Sequence, residues 1–295
     1  MRAKWISAAL VAGGVFAGVL AAVTFRKRQD APGQATRQDW PAGFAHRGAS
    51  ALAPENTVEA FRQAVREGIE GLELDVHMTS DGEIVVLHDP TVDRTTDGAG
   101  PISGMTLSEV KRLDAGYRFP LDDAHPYRGR DIRVPTLAGV FRAFPEVAIN
   151  MDIKEHRPGI EEAVLREILA SGAGGRTLVA SWEYRTIRRF RRVAGGRVPT
   201  AASRFEIGVF YLASRLRVER LLRPAYDALQ VPVRHRGLEI LTRRFLDAAH
   251  ARGVRVDAWT INEAGEMRRL LDLGVDAIMS DRPDTLAGVL RERGA

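Results

Sequence analysis

Residues 71–78 read Gly71-Leu72-Glu73-Leu74-Asp75-Val76-His77-Met78. Side chains of a strand alternate between its two faces, so Leu72, Leu74 and Val76 share one face and Glu73 and Asp75 the other. An apolar outer face under helices and an acidic inner face are what a strand of an α/β barrel presents. Working outward, strand-like runs are expected at 43–47, 71–78, 147–154, 177–181, 199–203, 228–233, 254–261 and 277–281, eight in all, the number that closes a (β/α)8 barrel. Helical periodicity falls between them at 57–67, 136–144, 158–171, 183–194, 206–222, 242–252, 263–273 and 283–293. The turn Thr79-Ser-Asp-Gly82 folds 84–88 back as an extra hairpin strand on the second one. Residues 90–135, rich in glycine and proline, break the alternation and read as a small insertion. An open nucleotide-binding sheet is the rival architecture, and it lacks its fingerprint: Gly98, Gly100 and Gly104 have the wrong spacing for Gly-x-Gly-x-x-Gly.

A chain of 295 residues accommodates such a barrel as one domain, here over 43–295. The pI near 9.8 suggests a nucleic-acid partner, yet most of the excess charge is amino-terminal. Arg2, Lys4, Arg26, Lys27 and Arg28 against Asp30 give +4 of the total +5, which leaves +1 for the rest. No nucleic-acid footprint follows from that balance, and no obligate protein partner is evident. The absence of cysteine removes disulfides, thiolate metal sites and cysteine nucleophiles. Trp5 to Phe25 is apolar apart from Ser7 and Thr24, long enough to span a bilayer, and has basic residues at both ends. Residues 1–28 therefore read as an uncleaved amino-terminal transmembrane helix in the cell membrane, and 29–42 as a polar linker. A signal peptide cleaved near Ala21 or Ala22, with secretion of the rest, is the alternative.

His46-Arg47-Gly48, Glu73-Leu-Asp75 and His88-Asp89 follow one another, each where a strand should end. Two imidazoles can carry the two protons that phosphodiester cleavage moves, one off the nucleophile and one onto the leaving alkoxide. Glu73 and Asp75, side by side on one face, would repel unless a cation lay between them. Asp152 and Lys154 repeat the i, i+2 pattern in Asn150-Met-Asp-Ile-Lys154. Three carboxylates, Glu73, Asp75 and Asp152, point to a hard divalent cation, Mg²⁺ or Ca²⁺. Arg47 can fork onto a phosphate and Lys154 can add a point charge. His77, His125, His156, His235 and His250 read as structural, Thr57 as a helix cap, and Asn56 as a loop brace.

The fragments His46-Arg-Gly, Pro54-Glu-Asn-Thr57, Glu73-Leu-Asp75-Val76 and Val86-Leu-His88-Asp89, in this order, resemble the glycerophosphodiester phosphodiesterase family, with likeness from about Phe44 to Asp284. The resemblance implies a TIM barrel with a small subdomain at the insertion, and metal-dependent hydrolysis of a glycerophosphodiester to glycerol 3-phosphate and an alcohol. It implies that His46 and His88 are the acid/base pair, that Glu55 sits at the edge of the site, and that Trp259 lines the glycerol pocket. Ser181-Trp182 would line the rim. Asp152 departs from the family, which usually has Glu there, and the shorter side chain would draw a metal closer or hold it through water. Two other readings stand beside this one. The apolar run Ile207–Ala213 and the membrane segment suit a lysophospholipase D acting on lysolipids. A membrane-anchored phosphodiester-binding protein without turnover would have no need of two proton carriers.

Overall fold

In a computed structural model of the protein, residues 40–119 and 124–294 are described. The strands in chain order are β1 (Gly43–Ala45), β2 (Gly71–Met78), β3 (Ile84–Val86), β4 (Ala148–Ile153), β5 (Thr177–Ala180), β6 (Ala228–Val231), β7 (Arg234–His235), β8 (Leu238–Glu239), β9 (Arg255–Ala258) and β10 (Ala277–Ser280). Seven form one parallel sheet in the order β5-β4-β2-β1-β10-β9-β6, and β3 pairs antiparallel with β2. The gap between β5 and β6 is spanned by the expected strand at 199–203. It makes only isolated parallel bridges, Val179 with Thr200 and Ala201 with Ala228. Pro199 has no N–H to donate, and the run ends at the helix cap Ser203, so it is too short for a full ladder. With it the sheet curls into a TIM-barrel-like ring.

Helices α1 (Val58–Arg66), α3 (Leu137–Ala143), α4 (Ile160–Ala170), α5 (Tyr184–Ala194), α6 (Arg204–Leu216), α7 (Arg243–His250), α8 (Ala264–Leu273) and α9 (Pro283–Glu292) alternate with the strands, while α2 (Leu107–Val110) lies between β3 and α3. The outer face of β2 behaves as its alternation requires: Leu72, Leu74 and Val76 are fully buried in one cluster with Phe61, Leu137 and Val140. Burying each such side chain is worth roughly 1.5–3 kcal/mol. Thr57, Thr136, Ser203 and Thr242 each turn the chain into a helix by accepting an amide N–H on the side chain.

Inside the ring, the floor is packed by Phe44 and Met279 with Trp40. Gly71 is required there, because a Cβ would lie 2.6 Å from both the Gly43 carbonyl oxygen and the Phe44 ring. Above the floor Gln230 Nε2 donates to Asn150 Oδ1 at 3.0 Å and Asp257 Oδ2 at 3.3 Å. Glu73 pairs in register with Asn150, and Asp75 and Asp152 follow two residues further toward the strands' C-terminal ends.

Two expectations are corrected, and one element is new. The helix read as 206–222 begins at Arg204 and stops at Leu216. Arg217 turns left-handed (φ 60°), and a 3-10 turn at Glu219–Leu221 follows. The strand expected to run to residue 88 ends at Val86. A hairpin of β7 and β8, turned at Arg236-Gly237 with φ of 48° and 81°, was not anticipated. Between β3 and α3, Leu87, Val92, Ile102, Val110 and Val134 form a small core of their own with Val85 of β3. The expected anchor at 1–28 and most of the linker at 29–42 lie outside the described residues. Among those described, no helix is long and apolar enough to cross a membrane.

Candidate active site

The chain leaves β1 through His46-Arg47-Gly48, and the sharp turn there sets the site. Arg47 and Gly48 are both left-handed, with φ of 53° and 80°. A Cβ on Gly48 would stand 2.8 Å from Ala60, so glycine lets α1 come this close. The turn aims the Arg47 N–H at Glu73 Oε2, 2.9 Å away, and swings His46 inward. His46 Nδ1 lies 2.7 Å from Asp281 Oδ1, and its Nε2 lies 4.0 Å from Glu73 Oε2. With Asp281 ionised the proton sits on Nδ1, leaving Nε2 for the pocket. Burial pulls the His46 pKa down, but Glu73 and the bond to Asp281 outweigh it, and the net shift is upward. Asp281 is itself fixed by Ser50 Oγ at 2.8 Å and Asn262 Nδ2 at 2.8 Å. Its carboxyl is held down at about 2 because these bonds and His46 overcome burial.

Parallel pairing of β2 with β4 sets Glu73 opposite Asn150 and Asp75 opposite Asp152. The two buried carboxylates of β2 are treated differently. Asp75 accepts from Asn56 Nδ2 at 2.9 Å and is ion-paired with Lys154 Nζ at 2.9 Å and, more loosely, with Arg47 Nε at 3.4 Å. Burial raises its pKa, but Lys154 and Arg47 bring it below the usual carboxylate value. Glu73 has no side-chain cation so near. Burial first, then the charge of Asp75, pushes it up to about 7. Asn56 makes its contacts from a left-handed backbone (φ 56°) and also accepts from the Asp75 N–H at 3.3 Å.

Lys154 reaches Asp152 Oδ2 at 2.7 Å as well, so an ammonium stands between two of the three expected metal ligands. Among the described residues no three His, Asp or Glu side chains are gathered around a common point as a metal cage. Glu73, Asp75 and Asp152, the expected ligand set, all face the inside of the ring, and the Lys154 ammonium lies between the last two. Asp152 Oδ1 is buried and has no hydrogen-bond partner.

The second imidazole follows β3. His88 Nδ1 lies 2.7 Å from Asp89 Oδ1, and the His88 carbonyl is braced by His77 Nε2 at 3.1 Å. Arg94 donates to Asp89 Oδ2 at 2.6 Å and to both Glu55 oxygens at 2.7 Å. Glu55 also accepts from Arg47 NH1 at 3.1 Å. Glu55 is thus shared by two guanidinium groups, which outweigh burial and lower its pKa. The Arg94 bond, then His88, holds Asp89 at about 2. Asp281 and Arg94 were missed from the sequence. The place of Asp281, immediately after the last strand, was the available signal.

His46, Arg47, Glu73, His88, Asp152 and Lys154 line one cavity of about 430 Å³, a size suited to a small ligand. Trp182 and Trp259 form its apolar wall, with ring centroids 6.0 Å apart. Of the other histidines, His250 bonds Asp276 and His156 bonds Thr186, while His125 lies near a backbone carbonyl and His235 is on the exposed hairpin.

Residues 46–285 match the model of the glycerophosphoryl diester phosphodiesterase family. A glycerophosphodiester phosphodiesterase of Caldanaerobacter subterraneus subsp. tengcongensis is 34% identical over 258 residues, covering 85% of this chain and 98% of that protein. A lysophospholipase D of Rattus norvegicus is 28% identical, with 85% and 87% covered. The glycerophosphoryl diester phosphodiesterase domain of a Mycobacterium tuberculosis protein superposes with a TM-score of 0.73 at 26% identity, over 86% of this chain and all of that one. An Oleispira antarctica phosphodiesterase solved with the product sn-glycerol-3-phosphate shares the fold, with a TM-score of 0.69 at 24% identity, over 87% of this chain and all of that one.

Proposed function

Because the chain belongs to the glycerophosphoryl diester phosphodiesterase family and is a phosphoric diester hydrolase, we propose that His46 and His88 are the proton carriers of its reaction, which yields glycerol 3-phosphate and an alcohol. The observation that carries this reading is the matched pair of imidazole–carboxylate dyads. Both histidines line one cavity, and each has Nδ1 2.7 Å from an aspartate oxygen. In each, Nε2 is the nitrogen left to meet substrate. One imidazole takes the proton of the attacking oxygen, whether from water or from the substrate's own 2-hydroxyl. The other, as imidazolium, returns a proton to the leaving alkoxide. Arg47, fixed by Glu55, and Lys154 provide cationic charge for the phosphoryl oxygens.

The residues fit a hard divalent cation. Glu73 is buried with its pKa pushed up to about 7, Asp152 Oδ1 has no partner, and every donor is oxygen. Glu73, Asp75 and Asp152 would hold Mg²⁺ or Ca²⁺, with Lys154 relinquishing part of its contact. When bound, such an ion polarises the phosphoryl oxygens. Trp259 would pack against the glycerol moiety, with Trp182 beyond it toward the rim.

A second reading, lysophospholipase D activity, is favoured by the apolar mouth: Trp182 and Phe205 are both 44% exposed there. A non-catalytic phosphodiester-binding role fits poorly with two polarised imidazoles. Residues 1–28 would anchor the enzyme in the cell membrane; the full chain is then expected to stay with membranes after a high-salt wash, and a mature amino terminus near residue 22 would contradict this. The substrate reading is tested by incubating the purified protein with glycerophosphocholine, glycerophosphoethanolamine and lysophosphatidylcholine and identifying products by mass. Turnover of the first two marks a glycerophosphodiesterase. Turnover of the lysolipid alone, releasing lysophosphatidic acid, would replace that reading with the second.

A further inference from the structure

The near-neutral balance beyond residue 30 conceals a strong segregation of charge. Residues 182–223 carry eleven arginines against Glu183, Glu206 and Glu219, a net +8, so the remainder beyond residue 30 sums to −7. Two of those three acids are already engaged: Glu206 pairs with Arg191 at 2.6 Å and Glu219 with Arg244 at 2.6 Å. Arg204, Arg215, Arg217, Arg220 and Arg223 all face solvent.

The same segment holds the exposed apolar side chains. Of the eight large hydrophobic residues exposed among the described residues, five are Trp182, Phe205, Leu212, Leu216 and Leu221. Phe205, Leu212 and Leu216 are spaced by seven and four residues, so they form one stripe along α6. The opposite face of that helix is satisfied, with Phe210 packed edge-on against Phe245 at 5.4 Å. The helix is therefore apolar on both sides, and among the described residues Leu212 and Leu216 on the outer side stay about half exposed.

The stripe starts at the cavity mouth. Ile207 lines the cavity, the Phe205 ring lies 5.3 Å from Tyr184, and the Arg204 guanidinium lies 5.9 Å from the Trp182 ring centroid. Thirteen residues at ~1.5 Å each carry the helix about 20 Å down the barrel wall toward the floor. Trp40 packs against Phe44 at that floor, with ring centroids 6.5 Å apart. Leucine and aromatic side chains surrounded by arginine suit a surface whose headgroups are anionic and whose interior is hydrocarbon. A nucleic acid would answer the arginines but leave Leu212 and Leu216 in water.

We propose that α6 and the turn to Arg223 dock the barrel sideways on an anionic lipid bilayer, so that the cavity mouth opens at the membrane surface. That lipid phosphodiesters are thereby offered to the cavity rests on the function proposed above; the docking itself does not.

The chain has no cysteine, so Leu212→Cys and Leu216→Cys can each carry a polarity-sensitive fluorophore in the full-length protein. Val65→Cys, on α1 at the far side of the ring, is the control. The proteins are reconstituted on vesicles of phosphatidylcholine alone and of phosphatidylcholine with phosphatidylglycerol, with no substrate present. The expected result is a blue shift at 212 and 216 on the anionic vesicles, none at 65, and loss of the shift when Arg215→Glu, Arg217→Glu and Arg220→Glu are combined. The readout needs no turnover, so it separates docking from catalysis. Labels that stay water-exposed would overturn the proposal. So would an equal shift at position 65, an equal shift on phosphatidylcholine alone, or a shift that survives the charge reversals. A concentration-dependent shift without vesicles would make a second copy of the chain the occupant, and would also overturn it.

Discussion

Replacing Asp281 by asparagine tests the His46 dyad with almost no change of volume. Asp281 Oδ2 accepts from Asn262 Nδ2 at 2.8 Å, while Oδ1 faces His46 Nδ1 at 2.7 Å. In Asp281→Asn the carbonyl oxygen is drawn to the Asn262 donor, and the new NH2 faces His46. Nδ1 must then accept, which moves the imidazole proton to Nε2, the nitrogen assigned to substrate. A hydrogen bond to a charged group is worth roughly 1.5–3 kcal/mol. Losing it at the rate-limiting step costs about 10- to 100-fold in kcat. The bond to Asp281 also helps raise the His46 pKa, so the pH–rate limb that belongs to His46 should move to lower pH. KM for glycerophosphocholine should stay nearly constant. The assay is kcat against pH, with circular dichroism to check the fold. A folded variant with kcat within about twofold of wild type and an unmoved limb would refute an orienting role for Asp281, since the expected loss is at least about tenfold.

Three further outcomes follow from the same geometry. His46→Ala and His88→Ala should each lower turnover by on the order of 10²–10⁴ while leaving the melting temperature nearly unchanged; activity near wild type in either folded variant removes it from the proton pair. Glu73 has a folded pKa raised to about 7 from 4.5. Its penalty is therefore absent below pH 4.5, grows as pH rises through 7, and reaches on the order of 3 kcal/mol. Without divalent cation at pH 8, Glu73→Gln should melt higher than wild type and should lose any stabilisation by Mg²⁺ or Ca²⁺; scanning fluorimetry with and without chelator reads both. Asp281, held at about 2, contributes stability that is present above its unfolded pKa and lost as pH falls toward 2, so Asp281→Asn should flatten the acid limb of an unfolding titration.

The parts of the fold legible in the sequence are those where alternation is sharp. Leu72, Leu74 and Val76 against Glu73 and Asp75 fix which face of β2 is inside, and the structure keeps that assignment. The stave at 199–203 was legible as a short apolar run, but its weakness depends on Pro199 and on the cap at Ser203. The left-handed stop at Arg217 bears no glycine or proline, so nothing local announced it. The hairpin of two-residue strands is exposed and has no alternation to read.

At the candidate site, the histidines and inner carboxylates were legible because each stands at the end of a strand-like run beside a distinctive neighbour. Asp281 was not, since it lies 235 residues from His46 and meets it only because β1 pairs with β10. Arg94 belongs to the irregular segment after β3, where no periodicity marks which arginine turns inward. Nor could spacing alone show that the Lys154 ammonium lies between Asp75 and Asp152; that follows from the register of β2 on β4.

The central claim is that the cavity breaks the bond between phosphorus and the headgroup oxygen, with proton transfer by two histidines. Hydrolysis of glycerophosphocholine in ¹⁸O-labelled water, read by mass spectrometry, tests it directly. One ¹⁸O is expected in glycerol 3-phosphate, with unlabelled choline, and neither product from His46→Ala or His88→Ala on the same time scale. Phosphocholine with free glycerol, label in choline, or undiminished product from the histidine variants would contradict it.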